Sequence, residues 1–468
     1  MEASQASYVG SIPIARSKKI GVSRNYNVPR KILITSFLGL LLFCPNLAAQ
    51  DQLPESFISF KRAEELAIEN SHTIASQTYV VKSAKEDAKA QQVKRYPQLS
   101  FGANSMFQSK IGSITVPGFG TQQVGSHTNW SAGPALDIVV WDTGQITKKA
   151  RSLDKTADAQ YENLDYNTRQ VLLNARVAYI NVQLAREQVR LVTDALKLAR
   201  AQYADVSAKK KVGTADLLDL TVAHQEVVDR EKDLETVDGN LAVAKKNLIA
   251  ALGFDPDVKG ANSLNVEPIS NVLHTLLPES DAYVDIESHP QVKALENQQQ
   301  AYEFAAKSSS ARHWPKITAR GTATYQYPNL GDNSTVQQNQ MTLNFYVPIL
   351  DWGMISKETR SSRYQAYSAK EQKEQTSIDL SRDTEDVRER IGTLKGLRVA
   401  NVKAVRDAVE VARLIYDSYN AGRVIFLDVQ RANVKALSVK VDSAQNDAEL
   451  AMQISRLLAL AVSEGEPK

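Results

Sequence analysis

Cysteine is almost absent from this sequence. The 468 residues include a single cysteine, Cys44, which lies inside the N-terminal leader described below. A lipid anchor on Cys44 is disfavoured, because the bulky Phe43 stands where lipoprotein processing takes a small residue. A mature chain without cysteine has no disulfide bond, which fits an exported protein that is stabilised by packing and assembly.

Long hydrophobic runs are also missing. The apolar run at 32–43 follows Arg30-Lys31 and precedes Ala48-Ala49. About a dozen residues reach only roughly 18 Å as a helix, so the run is too short to span a bilayer. We therefore expect residues 1–49 to be a signal peptide cleaved near Ala49. The long segment before Arg30 is either an extended n-region or the result of an early start codon. Any membrane crossing by the mature chain would have to use strands.

The usual signs of catalysis and of nucleic-acid binding are absent as well. The 56 basic and 53 acidic side chains nearly cancel, which argues against a surface for nucleic acid. The six histidines show no metal-ligand spacing, and no glycine-rich phosphate loop or local catalytic triad motif is present. The sequence therefore predicts a protein that is not an enzyme, has no cofactor or metal, and depends on another protein for energy.

An internal duplication is present. Val212-Gly213-Thr214 with Asp219 downstream corresponds to Ala421-Gly422-Arg423 with Asp428, at an offset of 209 positions. The same offset relates Gly144 to Gly353. We expect a first repeat at 50–254, a linker at 255–280 without helical periodicity, a second repeat at 281–462 and a C-terminal tail at 463–468.

Each repeat contains two segments with strand periodicity. Apolar and polar residues alternate along all four segments, at about 98–107, 129–141, 316–327 and 340–351. Such alternation over about ten residues is typical of outer-membrane barrels, although a single such strand also fits a soluble sheet over a core. Four strands cannot close a barrel, whereas three chains would supply twelve. Aromatic residues that would mark the membrane interfaces lie near the strand ends: Trp130, Trp141, Tyr325, Tyr327, Tyr346 and Trp352.

Two very long segments, 145–211 and 355–420, contain no proline and almost no glycine. Helices of about 65 residues would be roughly 100 Å long. A heptad pattern rich in alanine runs from Val171 to Ala199 and again from Leu437 to Leu458. The fold class predicted is mainly α with a small β part, with long antiparallel coiled-coil helices side by side in a wall. A plain coiled coil would leave the strands and the duplication unexplained.

Taken together, these features resemble the TolC-like outer-membrane efflux protein family over nearly all of the mature sequence. The resemblance rests on motifs that are duplicated and in the same order in both halves. They are the strand starts Tyr96-Pro97 and Trp314-Pro315, the strand ends Val140 to Gly144 and Pro348 to Gly353, and the hairpin turns Gly213 to Asp219 and Tyr419 to Asp428.

The resemblance implies a homotrimer in the outer membrane of a Gram-negative bacterium. It implies a twelve-stranded β-barrel in the lipid, continued by an α-barrel tunnel into the periplasm. The function implied is that of a passive exit duct for multidrug efflux or type I secretion. The partners implied are a periplasmic adaptor (membrane fusion protein) and an inner-membrane pump of the RND, ABC or MFS type.

The resemblance also assigns roles at the hairpin turns. The adaptor-docking positions it implies are Val212, Gly213, Thr214, Ala421, Gly422 and Arg423. Asp428 matches the position whose carboxylates ring and narrow the pore at the periplasmic tip, although it also fits a surface aspartate near a helix start. Arg431 stands where some members have a second acidic residue, and it is expected to pair with Asp428 or with a neighbouring chain. Asp219 is expected to lie outside the ring and to serve its own turn.

Two other interpretations were weighed. A periplasmic adaptor also contains long helical hairpins, but it has one hairpin between β-rich halves, whereas this sequence has two hairpin units separated by strands. A structural coiled-coil component of an export machine is disfavoured by the alternating strands. A conduit that does not recognise its cargo leaves no cargo motif, so drug, metal and protein export all remain open.

Overall fold

The computed structural model describes residues 57–258, 260–329 and 334–461. The expected signal peptide at 1–49 and the expected tail at 463–468 lie outside these residues. Within them the chain is mostly helical, with one four-stranded sheet and two short strand pairs. None of the helices described combines the length and the hydrophobicity of a membrane span.

The first half has four helices and five strands. In chain order they are β1 (Phe57–Ile58), α1 (Phe60–Glu69), α2 (His72–Val93), β2 (Gln98–Phe107), β3 (Gly112–Val116), β4 (Gly120–Val124), β5 (Thr128–Trp141), α3 (Gln145–Lys211) and α4 (Leu217–Ala251). The β3–β4 pair forms a small antiparallel hairpin between β2 and β5, which the sequence analysis did not anticipate.

The second half repeats this order with shorter additions. Its elements are β6 (Asn265–Val266), α5 (Ile269–Leu276), α6 (Pro290–Ala311), β7 (Lys316–Tyr327), β8 (Val336–Tyr346), α7 (Met354–Asn420) and α8 (Phe426–Leu460). In both halves a helix leads to two strands, then a helix of 67 residues and then a helix of 35 residues.

The long helices form two antiparallel pairs. At about 1.5 Å per residue α3 and α7 are each roughly 100 Å long, and the shorter α4 and α8 pack along their distal halves. The heptad positions Ala175, Val182, Val192, Leu196 and Ala199 of α3 are buried. Small side chains at these positions let the helix backbones approach closely, as an alanine-rich seam predicts.

The four long strands form one antiparallel sheet in the order β2-β5-β7-β8. The register places Asp137 opposite both Gln98 and Arg320, and Arg320 opposite Thr342. Polar residues therefore line up across one face of the sheet, and apolar residues line up across the other. The outer edges of β2 and β8 have no partner strand among the described residues.

Two expectations from the sequence differ from the structure. The segment expected to be a strand at about 340–351 is β8 at Val336–Tyr346, displaced towards the N-terminus. Pro348 cannot donate to a strand ladder, and Asp351 already belongs to the turn that starts α7. The linker at 255–280, expected to lack helical structure, contains α5, because the apolar Val272, Leu273 and Leu276 form a buried helix face there.

The main hydrophobic core lies where the two halves meet, around α3 and α8. The buried hydroxyl of Tyr179 on α3 donates to the Ile58 carbonyl at 2.8 Å and accepts from the Glu267 N–H at 3.0 Å. These bonds hold the parallel pair β1–β6 against α3, since Ile58 pairs with Val266. The start of the described chain is thereby fixed to the segment between the repeats.

Candidate functional site at the two hairpin turns

Each pair of long helices is joined by a five-residue turn at the same end of the molecule. Gly213 and Gly422 occupy equivalent positions with φ of +80° and +72°. In both turns the residue after the glycine donates its N–H five residues back, from Thr214 to Lys209 and from Arg423 to Ser418, at 2.9 Å. This is a Schellman-type helix end, which explains why glycine recurs at the offset of 209.

The side chains of the turns face solvent. All six expected docking positions are exposed: Val212, Gly213, Thr214, Ala421, Gly422 and Arg423. The Thr214 hydroxyl donates to the Lys209 carbonyl at 3.1 Å, which stabilises the first turn from within. The two turns therefore present an uncovered surface at the end of the hairpins.

The helix that follows each turn is capped differently. Asp216 precedes α4, and its carboxylate accepts the Asp219 N–H at 2.8 Å as an ordinary N-cap. Ile425 precedes α8 and has no side chain that can accept. The carboxylate of Asp219 on α4 accepts the Phe426 N–H instead, at 3.2 Å. Asp219 thus caps the helix of the other repeat, rather than serving its own turn as expected.

The same carboxylate begins a chain of polar contacts between the repeats. The Tyr419 hydroxyl donates to Asp219 Oδ2 at 3.3 Å, and Lys209 Nζ lies 4.9 Å from the centre of the Tyr419 ring. Lys209 also pairs with Asp205 at 2.9 Å, and Asp205 accepts from the Tyr416 hydroxyl at 2.9 Å. We refer to Asp205, Lys209, Asp219, Tyr416 and Tyr419 as the hairpin latch. The first three belong to the α3–α4 hairpin and the two tyrosines to α7, so the contacts of the tyrosines join the two hairpins.

An apolar cluster supports the hairpin latch. Val206, Ala223, Tyr419, Phe426 and Val429 pack together as a core separate from the main one. The rings of Tyr419 and Phe426 meet edge to face, with centroids 5.3 Å apart. Packing against Phe426 therefore holds the Tyr419 ring in the position from which its hydroxyl donates to Asp219.

The electrostatics of the hairpin latch favour one protonation state. The Lys209 ammonium and the Tyr416 hydroxyl hold the pKa of Asp205 below its usual value. Burial, together with the neighbouring Asp205 and Asp219 carboxylates, raises the pKa of Tyr416 and of Tyr419 to about 12. Asp205 therefore stays ionised and both tyrosines stay protonated across the physiological pH range, so the donors and acceptors keep their roles.

A second layer of polar contacts lies one to two helix turns away. Glu226 of α4, whose exposed fraction is 5%, accepts from the Gln430 amide at 3.0 Å and pairs with Arg230 at 3.1 Å. Asn433 donates to the Gln202 side chain at 2.8 Å. Because Gln202 and Glu226 belong to the first repeat and Gln430 and Asn433 to the second, this layer also ties the hairpins together.

Asp428 and Arg431 lie in the first turns of α8, beside the hairpin latch but not in it. Their side chains form an ion pair at 3.8 Å and are 41% and 73% exposed. A pair of this exposure contributes little stability, and because both residues are on one helix it does not join the two hairpins. Asp219, and not Asp428, is the aspartate of the duplicated motif that contacts the other hairpin.

The predicted interface aromatics separate into two groups at opposite ends of the sheet. Trp130 and Tyr327 face each other in the register and stack with ring centroids 6.4 Å apart, next to Tyr325. Trp141 lies at the other end on the apolar face, and Trp352 follows in the turn before α7. Tyr346 is at the same end but lies opposite Lys316, so its side chain is on the polar face and not on the face predicted to contact lipid. Tyr327 is ten positions after Ile317 on β7, which corresponds to roughly 33 Å along the strand.

Between these two groups the apolar face of the sheet is uncovered. Phe101 is 74% exposed and Met341 83% exposed, and Leu99, Leu343 and Phe345 are similarly open. Large apolar side chains in such a continuous patch indicate a contact surface.

Across residues 57–258, 260–329 and 334–461, no group of three or more potential ligand side chains is arranged to hold a metal ion.

A duplicated body of long helical hairpins joined to an amphipathic four-stranded sheet defines the fold class of outer-membrane efflux channels. The sequence matches the model of the outer membrane efflux protein family at residues 64–254 and 285–461, and the chain belongs to this family. Its fold is TolC-like, and it is an outer-membrane protein.

Individual relatives agree with this assignment. The outer membrane efflux protein BepC of Brucella suis is 24% identical over 370 residues, which cover 76% of this chain and 77% of BepC. The outer membrane protein VceC of Vibrio cholerae has a similar structure, with a TM-score of 0.72 at 15% identity, covering 86% of this chain and 95% of VceC. The outer membrane channel CmeC of Campylobacter jejuni gives a TM-score of 0.71 at 14% identity, covering 86% and 85%.

Proposed function

We propose that three copies of this chain form a passive exit duct across the outer membrane and the periplasm. The duct works with a periplasmic adaptor and with an energised inner-membrane pump of the RND, ABC or MFS type. The observation that carries the proposal is the sheet, which presents an uncovered apolar face, a polar opposite face and aromatic residues at both ends.

The dimensions of the sheet fit a bilayer. The roughly 33 Å between the two aromatic groups becomes about 25 Å across the membrane when strands tilt by about 40°, which matches the apolar band of outer-membrane proteins. The apolar face, with Phe101, Leu343 and Phe345, is assigned to lipid. The polar face, with Asp137, Arg320 and their neighbours, is assigned to a water-filled lumen.

The free edges of the sheet require further chains. Unpaired backbone groups on β2 and β8 are too costly to leave in lipid, where no water satisfies them. Because β8 runs antiparallel to β7 and β2 antiparallel to β5, β8 of one chain can pair antiparallel with β2 of the next. Three chains supply the twelve strands of a closed barrel.

The hairpin turns are assigned to the periplasmic end of the tunnel. Their six exposed positions, 212–214 and 421–423, offer a docking surface for the adaptor hairpins. Asp428 faces the tip, where three carboxylates around an axis would narrow the pore and favour cations. Arg431, whose ion pair with Asp428 is long and exposed, can reach a neighbouring chain and lock the closed state.

The trimer is tested by cross-linking through the free edges. Asn104→Cys on β2 is combined with a cysteine at Gln338, Gln340 or Thr342 on β8, all on the polar face. Oxidation of outer-membrane fractions should yield a covalent trimer with at least one of these pairs. Asn104→Cys alone is the control and should remain monomeric on a denaturing gel. A processed protein that is monomeric and stays dissolved without detergent would refute the trimer.

The gating role is tested by conductance. The double variant Asp428→Ala and Arg431→Ala should raise the conductance of the purified trimer in planar bilayers, because it removes the expected contacts at the constriction. Cation preference, taken from the reversal potential in a salt gradient, should fall with the loss of the carboxylates. Unchanged conductance and selectivity would remove both residues from the constriction.

A further inference from the structure

A cavity of about 710 Å³ lies where the polar face of the sheet meets the helices. Its walls come from both repeats: the end of α2, the starts of β2 and β7, the end of β5, the first turn of α3 and the last turn of α6. On the sheet side it is lined by Gln98, Asp137, Lys316 and Thr318, which all belong to the polar face. In the proposed trimer this face borders the lumen, so the cavity opens to the conduit.

The charge around the cavity is strongly unbalanced. Its lining includes four cationic side chains, Lys94, Lys149, Arg312 and Lys316, and one acidic side chain, Asp137. Arg312 pairs with Glu358, and Asp137 pairs with Arg320 at 3.7 Å, so the acid is already engaged by a cation. Lys94 donates to the neutral Gln91 amide at 2.8 Å, which leaves its charge uncompensated.

Lys149 and Lys316 distinguish this cavity from an ordinary charged surface. Among the described residues, neither ammonium group takes part in a hydrogen bond or an ion pair. The two lysines come from different elements, α3 and β7, so the fold brings them together on one cavity. Like charges that line one cavity repel each other, and an anion with several oxygen atoms would relieve that repulsion through charge-assisted hydrogen bonds.

We propose that this cavity is a binding site for phosphate-bearing anions inside the conduit, formed by Lys94, Lys149 and Lys316 with Arg312. The proposal rests on the proposed function, because it takes the polar face as the lumen. The hydroxyl groups of Ser309 on α6 and Thr318 on β7 also line the cavity and add neutral donors for phosphate oxygens. The apolar face that would contact lipid is on the opposite side of the sheet, so the anion is a dissolved one rather than a lipid headgroup. The site would retain anionic cargo, or dissolved anions, at the junction of the barrel and the tunnel.

The first test measures binding without transport. Inorganic pyrophosphate should raise the thermal midpoint of the purified protein in a neutral detergent by at least about 2 °C when its concentration far exceeds the dissociation constant. The double variant Lys149→Gln and Lys316→Gln should lose this shift. The control variant Lys403→Gln and Lys435→Gln changes the net charge equally on helix surfaces outside the cavity, and it should keep the shift.

The second test uses planar bilayers of phosphatidylcholine. Pyrophosphate should reduce the conductance of the wild-type channel, and the Lys149→Gln and Lys316→Gln variant should need at least tenfold more pyrophosphate for the same block. A protein that binds pyrophosphate but never conducts would refute the proposed function and leave the site standing. A conducting channel that is indifferent to pyrophosphate in both assays would refute the site. A thermal shift with phosphatidylglycerol alone would assign the cavity to lipid and overturn the dissolved anion.

Discussion

Asp219 Oδ2 of the first repeat accepts a hydrogen bond from the Tyr419 hydroxyl of the second, and its other oxygen caps α8 at the Phe426 N–H. One carboxylate therefore fixes both the side chain before the second turn and the helix after it. Because Asp219 is on α4, any movement of the α7–α8 hairpin away from α3–α4 must break both bonds. The hairpin latch thus opposes separation of the hairpins within one chain, together with the apolar cluster and the second polar layer.

Removing the Tyr419 hydroxyl should weaken the contact between the hairpins at the tip of the proposed duct. Tyr419→Phe deletes one bond and keeps the ring packed on Phe426, so the state with the hairpins in contact should lose about 1 kcal/mol, which is roughly a fivefold rise in the open fraction. Single-channel recording in planar bilayers would measure the open probability. Asp219→Asn should act in the same direction, because a neutral amide accepts more weakly from the Phe426 N–H.

Tyr283→Phe is the matched control for Tyr419→Phe. Tyr283 is exposed, and its hydroxyl has no partner among the described residues, so this variant should leave the open probability at the wild-type level. If Tyr419→Phe and Tyr283→Phe behaved alike, the hairpin latch would have no part in gating.

Acid should destabilise the protein through His289. The side chain is 2% exposed at the start of α6, and burial lowers its pKa from 6.5 to about 4, with the nearby Arg169 contributing. Below pH 6.5 the unfolded chain binds a proton that the folded chain does not. The folded state therefore loses about 2 kcal/mol between pH 7 and pH 5 from this residue. His289→Asn can still cap α6 by accepting the Gln291 N–H, but it cannot titrate.

The measurement for His289 is the thermal midpoint of wild type and of His289→Asn in detergent between pH 7 and pH 5. The difference between the two proteins should shift in favour of the variant as the pH falls. Parallel curves over this range would show that the folded protein accepts the proton at no cost.

Tyr179→Phe should loosen the junction between the repeats. The variant leaves the Glu267 N–H and the Ile58 carbonyl without their shared partner, at a cost of about 1–3 kcal/mol. Burial raises the pKa of Tyr179, so the native hydroxyl stays protonated at every physiological pH. Hydrogen exchange should become faster at residues 57–58 and 265–267. Tyr79→Phe, which removes an exposed hydroxyl, should leave exchange in these segments unchanged.

Gly133→Ala should damage the sheet. A Cβ at this position would lie 2.2 Å from the Ala323 carbonyl oxygen and 2.7 Å from Thr324 Cα, both of which are backbone atoms of β7. Since backbone cannot move aside as a flexible side chain does, β5 and β7 would have to separate, at a cost of about 1–3 kcal/mol. The thermal midpoint of the assembled protein would report this loss.

Gly102→Ala provides the comparison for Gly133→Ala. Gly102 faces Gly133 across the β2–β5 ladder, but a Cβ there would meet nothing within 4 Å. This variant should assemble and melt like the wild type. Equal losses in the two variants would show that close approach to β7 is not the cause of the effect.

Local periodicity was sufficient to predict the regular parts of this fold. Period-two alternation predicted four strands, and the absence of proline and glycine predicted α3 and α7, because these signals lie in consecutive residues. The segment around Val272 and Leu273 was missed, since eight residues are too few for helical periodicity to stand out. The two-residue strands β1 and β6 are too short for a sequence pattern, and they pair with each other and bond to Tyr179 across long sequence separations.

The candidate site was also predicted only where its signal lies in consecutive residues. The glycine turns were predicted because their spacing is repeated at 209 positions, whereas the hairpin latch depends on residues some 200 positions apart. Asp219 was identified in the duplicated motif but assigned to its own turn. The sequence did contain a signal, because Ile425 occupies a position where Asp216 stands in the first repeat, and a helix start without its own cap needs an acceptor from elsewhere.

The turns between the sheet and the long helices, here called joints, share one backbone conformation in both halves but differ in their central residue. In Asp142-Thr143-Gly144 and Asp351-Trp352-Gly353 the aspartate accepts two backbone N–H groups, at 2.7–2.9 Å in the first joint and 2.9–3.0 Å in the second. The middle residue has φ near +54° in both, although one is threonine and the other tryptophan. Because the aspartate and the glycine on either side supply the hydrogen bonds and the bend, the central position accepts side chains as different as threonine and tryptophan. The same backbone bend therefore presents a small hydroxyl in one half and a large aromatic ring in the other.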